Sequence, residues 1–223
     1  DESEPEPEKM FSTGDAPAVW SRTLAEPAKF EVGDSHFKFL YDAAVRSVIL
    51  HTPGEVYPGP FTYKRFWFRD AVIIIQSLLY MGMIDRAEKL IDAFLYRQTA
   101  TGYFHSQQGE WDSNGQVLWL LWNYWRFSGC KVKDSWYKAI HKGCRWIKNK
   151  RVATELSTPH AGLLPAGFSA EHLGPNDYYF WDDFWSVRGL WAGAEMLRDT
   201  EFAQEADEFK RQGDDLLECI TQS

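Results

Sequence analysis

Residues 178–185 read Tyr-Tyr-Phe-Trp-Asp-Asp-Phe-Trp, so two adjacent carboxylates, Asp182 and Asp183, stand inside a run of six aromatic side chains. Placing carboxylates among apolar rings costs free energy unless they bind something or do chemistry. Related patterns occur twice earlier, as Phe66-Trp67-Phe68-Arg69-Asp70 and Glu110-Trp111-Asp112-Ser113-Asn114. A Trp face beside carboxylates suits a pyranose: the ring stacks on C–H faces, the acids bond hydroxyls, and one carboxyl can sit near a glycosidic oxygen. Glycoside hydrolysis needs one protonated carboxyl as acid and a second, ionised, as base or nucleophile. Crowding Asp182 against Asp183 and the rings raises one of their pKa values, as an acid working near neutral pH requires. Such a donor contributes about 10²–10⁴ in rate. The plainer reading of Asp70, Asp112 and Asp182 is helix N-capping, worth about 1 kcal/mol each. Three caps that each follow closely on a Trp favour a shared cleft.

The elements that must bring these residues together are helices. Asp34 or Ser35 caps an expected helix to residue 50, with Leu40, Ala43, Ala44 and Val48 on one face. Residues 51–64 are rich in Pro and Gly and read as a loop. A helix over 69–81 is apolar almost all round, which predicts burial on every side. Gly82 ends it, and an amphipathic helix follows over 84–97. The cycle repeats: an apolar helix over 114–127, ended by Gly129; an amphipathic one over 134–150; a Pro/Gly loop over 151–179; an apolar helix over 182–197; an amphipathic one over 201–220. Alternation of fully and half apolar helices, with no convincing strand pair, predicts an all-α fold in two layers, inner and outer. Pairing outer with inner gives three hairpins and the outer helix of a fourth. Parallel inner helices would set the three aromatic–acidic starts at one end, where free N–H groups and the positive dipole end suit carboxylates and hydroxyls.

Residues 1–33 read as an acidic, proline-broken tail and an irregular surface segment, and 34–223 as the helical domain. Both ends look like cuts in a longer polypeptide. A net charge of −8 argues against nucleic acid and anionic membranes as partners. The longest apolar run is too short to span a bilayer, and no signal peptide is visible, so the expected location is cytoplasmic. Cys130, Cys144 and Cys219 form no metal-like cluster and read as reduced thiols; His105, His160 and His172 lie in separate loops. No metal or other cofactor is expected.

On these motifs the chain resembles the six-hairpin (α/α) toroid glycosidases, most of all the glucoamylase-like enzymes of glycoside hydrolase family 15. The resemblance covers 37–220 and rests on Trp67-Phe68-Arg69-Asp70, Trp111-Asp112-Ser113-Asn114-Gly115 and Trp181-Asp182-Asp183, each entering an apolar helix. It implies an incomplete toroid of about three and a half hairpins. It also implies that Arg69 and Asp70 grip the sugar in the cleavage subsite and that Trp111 lines the cleft. Asp182 would be the general acid and Asp183 a substrate-binding neighbour, with Trp67, Asp112 and Trp181 completing the binding set. The family's pair is Glu-Glu where this chain has Asp-Asp; related trehalases and processing glucosidases use Asp as acid. The family's catalytic base lies near the end of the ring, beyond any match here.

The expected activity is inverting cleavage, or binding, of α-linked glucosides by a site without its base. The expected partners are an oligosaccharide or glucoside and either the missing half of the ring or a second copy. The alternative is a non-catalytic carbohydrate-binding or scaffold module. A terpenoid-cyclase-like toroid holding Mg²⁺ on Asp182 and Asp183 ranks low, because position 186 is Ser where a further carboxylate is wanted. Tyr103, Phe104 and Gln107 are minor candidates for ligand contact.

Overall fold

The computed structural model describes residues 15–129, 131–155, 157–169 and 174–223. The acidic tail, Cys130 and His172 lie outside the described residues. Among the described residues there are eight helices: α1 (Ala16–Thr23), α2 (Ser35–Leu50), α3 (Phe68–Tyr80), α4 (Ile84–Leu95), α5 (Ser113–Phe127), α6 (Asp134–Lys150), α7 (Phe180–Leu197) and α8 (Ala203–Gln222). Among the described residues strand pairing is limited to two isolated bridges, so the chain is all-α.

The helices start and stop for local reasons. Asp34 caps α2 by accepting the His36 N–H at 2.7 Å. Gly82 (φ 77°) and Gly129 (φ 73°) take the left-handed conformation that ends α3 and α5, which an L side chain would resist. α1 was not expected: 10–33 reads as irregular, yet Pro17 sits in its first turn, where a missing N–H costs nothing. α1 has no fully buried residue, but Trp20 and Leu24 pack on the core. The following strap is pinned by Ala28 N–H to Met81 O (2.8 Å) and Tyr41 Oη–H to Ala28 O (2.6 Å).

α3, α5 and α7 form the inner layer and α2, α4, α6 and α8 the outer. Residues early in α3 meet early α5 (Arg69 with Asp112) and late meet late (Tyr80 against Phe127, 5.9 Å), so these helices run parallel. α5 and α7 repeat the pattern, from Gly115 beside Trp185 to Trp122 Nε1–H donating to Glu195 at 2.8 Å. They cross almost backbone on backbone. A Cβ at Gly115 would stand 2.1 Å from the Trp185 carbonyl oxygen, and one at Gly189 2.6 Å from the Gly115 Cα. The core between layers is filled by Phe68, Phe94 and Phe104 edge to face, and by Ile75, Leu118, Leu121, Trp136 and Ile147. Cys144 is buried against the Gly193 position, and burial pushes its thiol pKa up; it is an inert core residue. The basic outer face of α6 is knitted to its neighbours: Lys133 with Glu88 and Asp92, Lys148 with Glu208, and His141 with Glu205.

Two burial expectations fail. On α2 the buried positions are Val45 and Ile49, whereas Leu40 and Ala44 are exposed; the packed face is rotated toward Tyr41 and Val48. α3 is not buried all round: Ile73 is 53% exposed and Tyr80 is exposed, because none of the described residues covers that side.

Candidate functional site

The three inner-helix starts do converge. A cavity of about 340 Å³ is lined by Arg69 from α3, Glu110 and Asp112 just before α5, Tyr179, Trp181 and Asp182 at the start of α7, and Phe168 and Ser169 from the preceding loop. That volume falls in the range of small-ligand sites. None of the three suspected caps is one. The side chains at the N-cap positions of α3, α5 and α7 (Trp67, Asp112 and Tyr179) make no capping hydrogen bond.

Asp112 is instead turned toward the cavity and held by neighbours. Its Oδ2 accepts Gln116 Nε2–H (2.8 Å) and Trp181 Nε1–H (2.9 Å), with Arg69 Nη1 at 3.7 Å. The indole bond holds Trp181 in the wall, where the residue is 52% exposed. Trp181 therefore offers a half-open apolar face to a cavity that Glu110, Asp112 and Asp182 also line.

Asp182 is 6% exposed. Its carboxyl is pushed up to about 8, first by burial and then by repulsion from Asp112, Asp183 and Glu110; a backbone hydrogen bond from Trp111 opposes the shift. The helix dipole at the first turn of α7 favours the ionised form, but by less than burial and three carboxylates oppose it. Asp183 points elsewhere. Its Oδ1 accepts the Leu164 N–H at 2.8 Å, and burial raises it to about 6 against the pull of that bond and of Arg151. It anchors the 163–166 loop rather than lining the cavity. The two adjacent carboxylates therefore diverge, and a metal ion shared between them does not fit this arrangement.

Trp111 is placed differently from expectation. It is buried behind the cavity, with Lys150 Nζ 3.7 Å from its ring centroid and Trp146 and Tyr103 beside it, and its Nε1–H faces Ala166 O at 3.4 Å. The exposed aromatic face is Trp181's. Trp67 and Asp70 enter the same helix as Arg69 but are not among the lining residues; Trp67 lies under Arg65, 5.0 Å from the guanidinium. Phe104 is core, and Tyr103 stacks on Trp146 at 4.6 Å while its hydroxyl bonds the Gln107 and Glu110 carbonyls. Gln107 contributes that carbonyl and does not line the cavity.

The turn that carries Glu110 is built closely. Asn114, fully buried, receives the Phe104 N–H (2.8 Å) and donates to the Gly102 and Gly143 carbonyls (3.0 and 3.1 Å), tying the turn to α6. Gly109 has φ 93° and its carbonyl accepts the Phe168 N–H at 2.9 Å, which sets Phe168 in the wall. Glu110, Phe168, Ser169 and Tyr179 were not singled out from sequence as site residues. Glu110 and Tyr179 carried a signal, the first standing directly before Trp111-Asp112 and the second inside the aromatic run 178–185; Phe168 and Ser169 sit in a loop without pattern.

Comparison of the chain with protein-family models, with curated proteins and with solved structures gives no match.

Proposed function

We propose that the chain carries the substrate-gripping and acid-donating half of a glycosidase cleft, acting on α-linked glucosides with inversion. In this reading its helices are about three and a half hairpins of an (α/α) toroid. The observation that supports it most is Asp182, a buried carboxyl raised to about 8 in the wall of a cavity that also presents a half-exposed Trp. Such an acid is protonated at neutral pH and can donate to a glycosidic oxygen. Trp181 supplies a stacking face, and Arg69, Asp112 and Glu110 supply donor and acceptors for hydroxyls. Inversion is taken from the resemblance alone.

One observation favours a second reading. Asp183 is committed to Leu164, so the Asp-Asp pair does not furnish both acid and base. A cleft that binds sugar without cleaving it fits that arrangement, as a carbohydrate-binding or scaffold module would. Hydrolysis of a panel of α-glucosides, with the released anomer followed by NMR, separates the two beside Asp182→Asn. Saturable binding with any turnover lost in the variant is the expected result. Turnover that survives Asp182→Asn would remove Asp182 as the acid, and absence of binding would remove the cleft reading.

The partner proposal rests on exposed apolar side chains of three helices. Phe37, Phe39 and Leu40 on α2, Ile73 and Tyr80 on α3, and Phe180 and Phe184 on α7 are exposed. Further hairpins of the ring or a second copy of the chain would cover them. Ultracentrifugation of the chain should show self-association, and a monomer at high concentration would count against it. Among the described residues no helix is long and apolar enough to cross a membrane.

A further inference from the structure

Glu110 is 4% exposed and lines the cavity, yet among the described residues its Oε1 has no hydrogen-bond partner. The nearest cation, Arg69, stands at 3.7 Å, an ion pair too long to be a hydrogen bond. An ionised carboxylate is acceptor-only, and a buried oxygen without a donor costs free energy that folding does not return. The chain nevertheless fixes this group in place. The Glu110 carbonyl is held by Tyr103 Oη–H at 2.8 Å, the turn before it by Gly109, and the turn after it by Asn114.

An acceptor held in place at the wall of a cavity is completed by a donor that arrives with the ligand. We propose that Glu110 is the specificity-determining acceptor of the cleft, taking a hydroxyl hydrogen of an uncharged sugar. This deepens, and rests on, the glucoside reading above. It also sets the charge class. Glu110 and Asp112 line the cavity beside the protonated Asp182, with Arg69 as the cation among the lining residues, so a ligand carrying its own carboxylate is disfavoured. Burial raises Glu110 above the usual glutamate range while Arg69 pulls it back, which keeps its charge sensitive to what binds beside it.

The test uses the chain as it is, with methyl α-glucoside, its monodeoxy derivatives and methyl α-glucuronide as probes, and affinities read by calorimetry or NMR. Loss of one particular hydroxyl should weaken binding about 10- to 100-fold, the size of a hydrogen bond to a charged group. Glu110→Gln should flatten that discrimination, and it should narrow the gap between glucoside and glucuronide. A glucoside that binds both proteins with the same deoxy profile would overturn the role of Glu110 and leave the cleft reading standing. No glucoside binding by the unaltered chain would overturn both. Melting temperature supplies a readout independent of ligand. Glu110→Gln should leave it unchanged or raise it, since burial disfavours the carboxylate more than Arg69 at 3.7 Å favours it; a marked drop would show that Glu110 serves the fold through Arg69, which overturns the proposal.

Discussion

Asp182→Asn should remove the proton donor and make the protein more stable at neutral pH. The side chain keeps its shape, and Asn Oδ1 can still accept the Trp111 N–H. What changes is the cost of ionisation. The folded carboxyl titrates at about 8, against about 3.9 in an unfolded chain. A carboxyl whose folded value is raised holds its proton longer when folded. Its contribution is therefore full below pH about 4 and is lost as pH rises toward about 8, at up to about 1.4 kcal/mol per unit. At pH 7 the loss amounts to roughly 4 kcal/mol. Asparagine carries no such loss. Urea unfolding of both proteins between pH 5 and 8.5 should show the variant gaining on its parent as pH rises, with the gap levelling off above pH about 8. A gap that stays constant with pH, or one that closes, would mean Asp182 is ionised in the folded protein and would refute its assignment as acid.

Other consequences can be measured on the same material. Gly115→Ala should cost about 2–3 kcal/mol or more, or prevent folding, because its Cβ would meet the Trp185 backbone at 2.1 Å and part α5 from α7; wild-type urea stability would contradict the packing. Asn114→Ala should cost about 3 kcal/mol, since it strands the Phe104 N–H and two carbonyls in the interior; a loss under about 0.5 kcal/mol would mean those groups find other partners. Tyr103→Phe should cost about 1 kcal/mol and loosen the turn bearing Glu110, read as faster amide exchange over 107–110 with α6 unchanged.

The helical layers were legible because burial is written in periodicity. The outer helices α4, α6 and α8 alternate apolar and charged side chains at helical spacing, and the inner ones do not. Glycines after α3 and α5 marked the stops. What failed did so where sequence reports hydrophobicity but not coverage. Ile73 sits in an apolar run like its buried neighbours and is exposed because no described element covers it. The site was half legible. Aromatic–acidic starts pointed to Arg69, Asp112, Trp181 and Asp182, which share a cavity. They also pointed to Trp111, which lies in the turn before α5 and packs on Trp146 and Tyr103, and to Asp183, which bonds Leu164; neighbouring side chains on a helix such as α7 diverge by about 100°. Phe168 reaches the cavity through a loop whose path no local pattern fixes. Glu110 is defined as a site residue by an absent bond, which only coordinates can reveal.

The most direct measurement is the indole N–H resonance of Trp181, assigned through Trp181→Phe, during titration with methyl α-glucoside. That proton donates to Asp112 while the ring forms the open wall of the cavity, so a sugar stacking there must move it. The account predicts a saturable shift that Asp182→Asn alters and Trp181→Phe abolishes. An indole resonance that stays fixed up to high glucoside concentration would contradict a sugar cleft at this end of the inner helices.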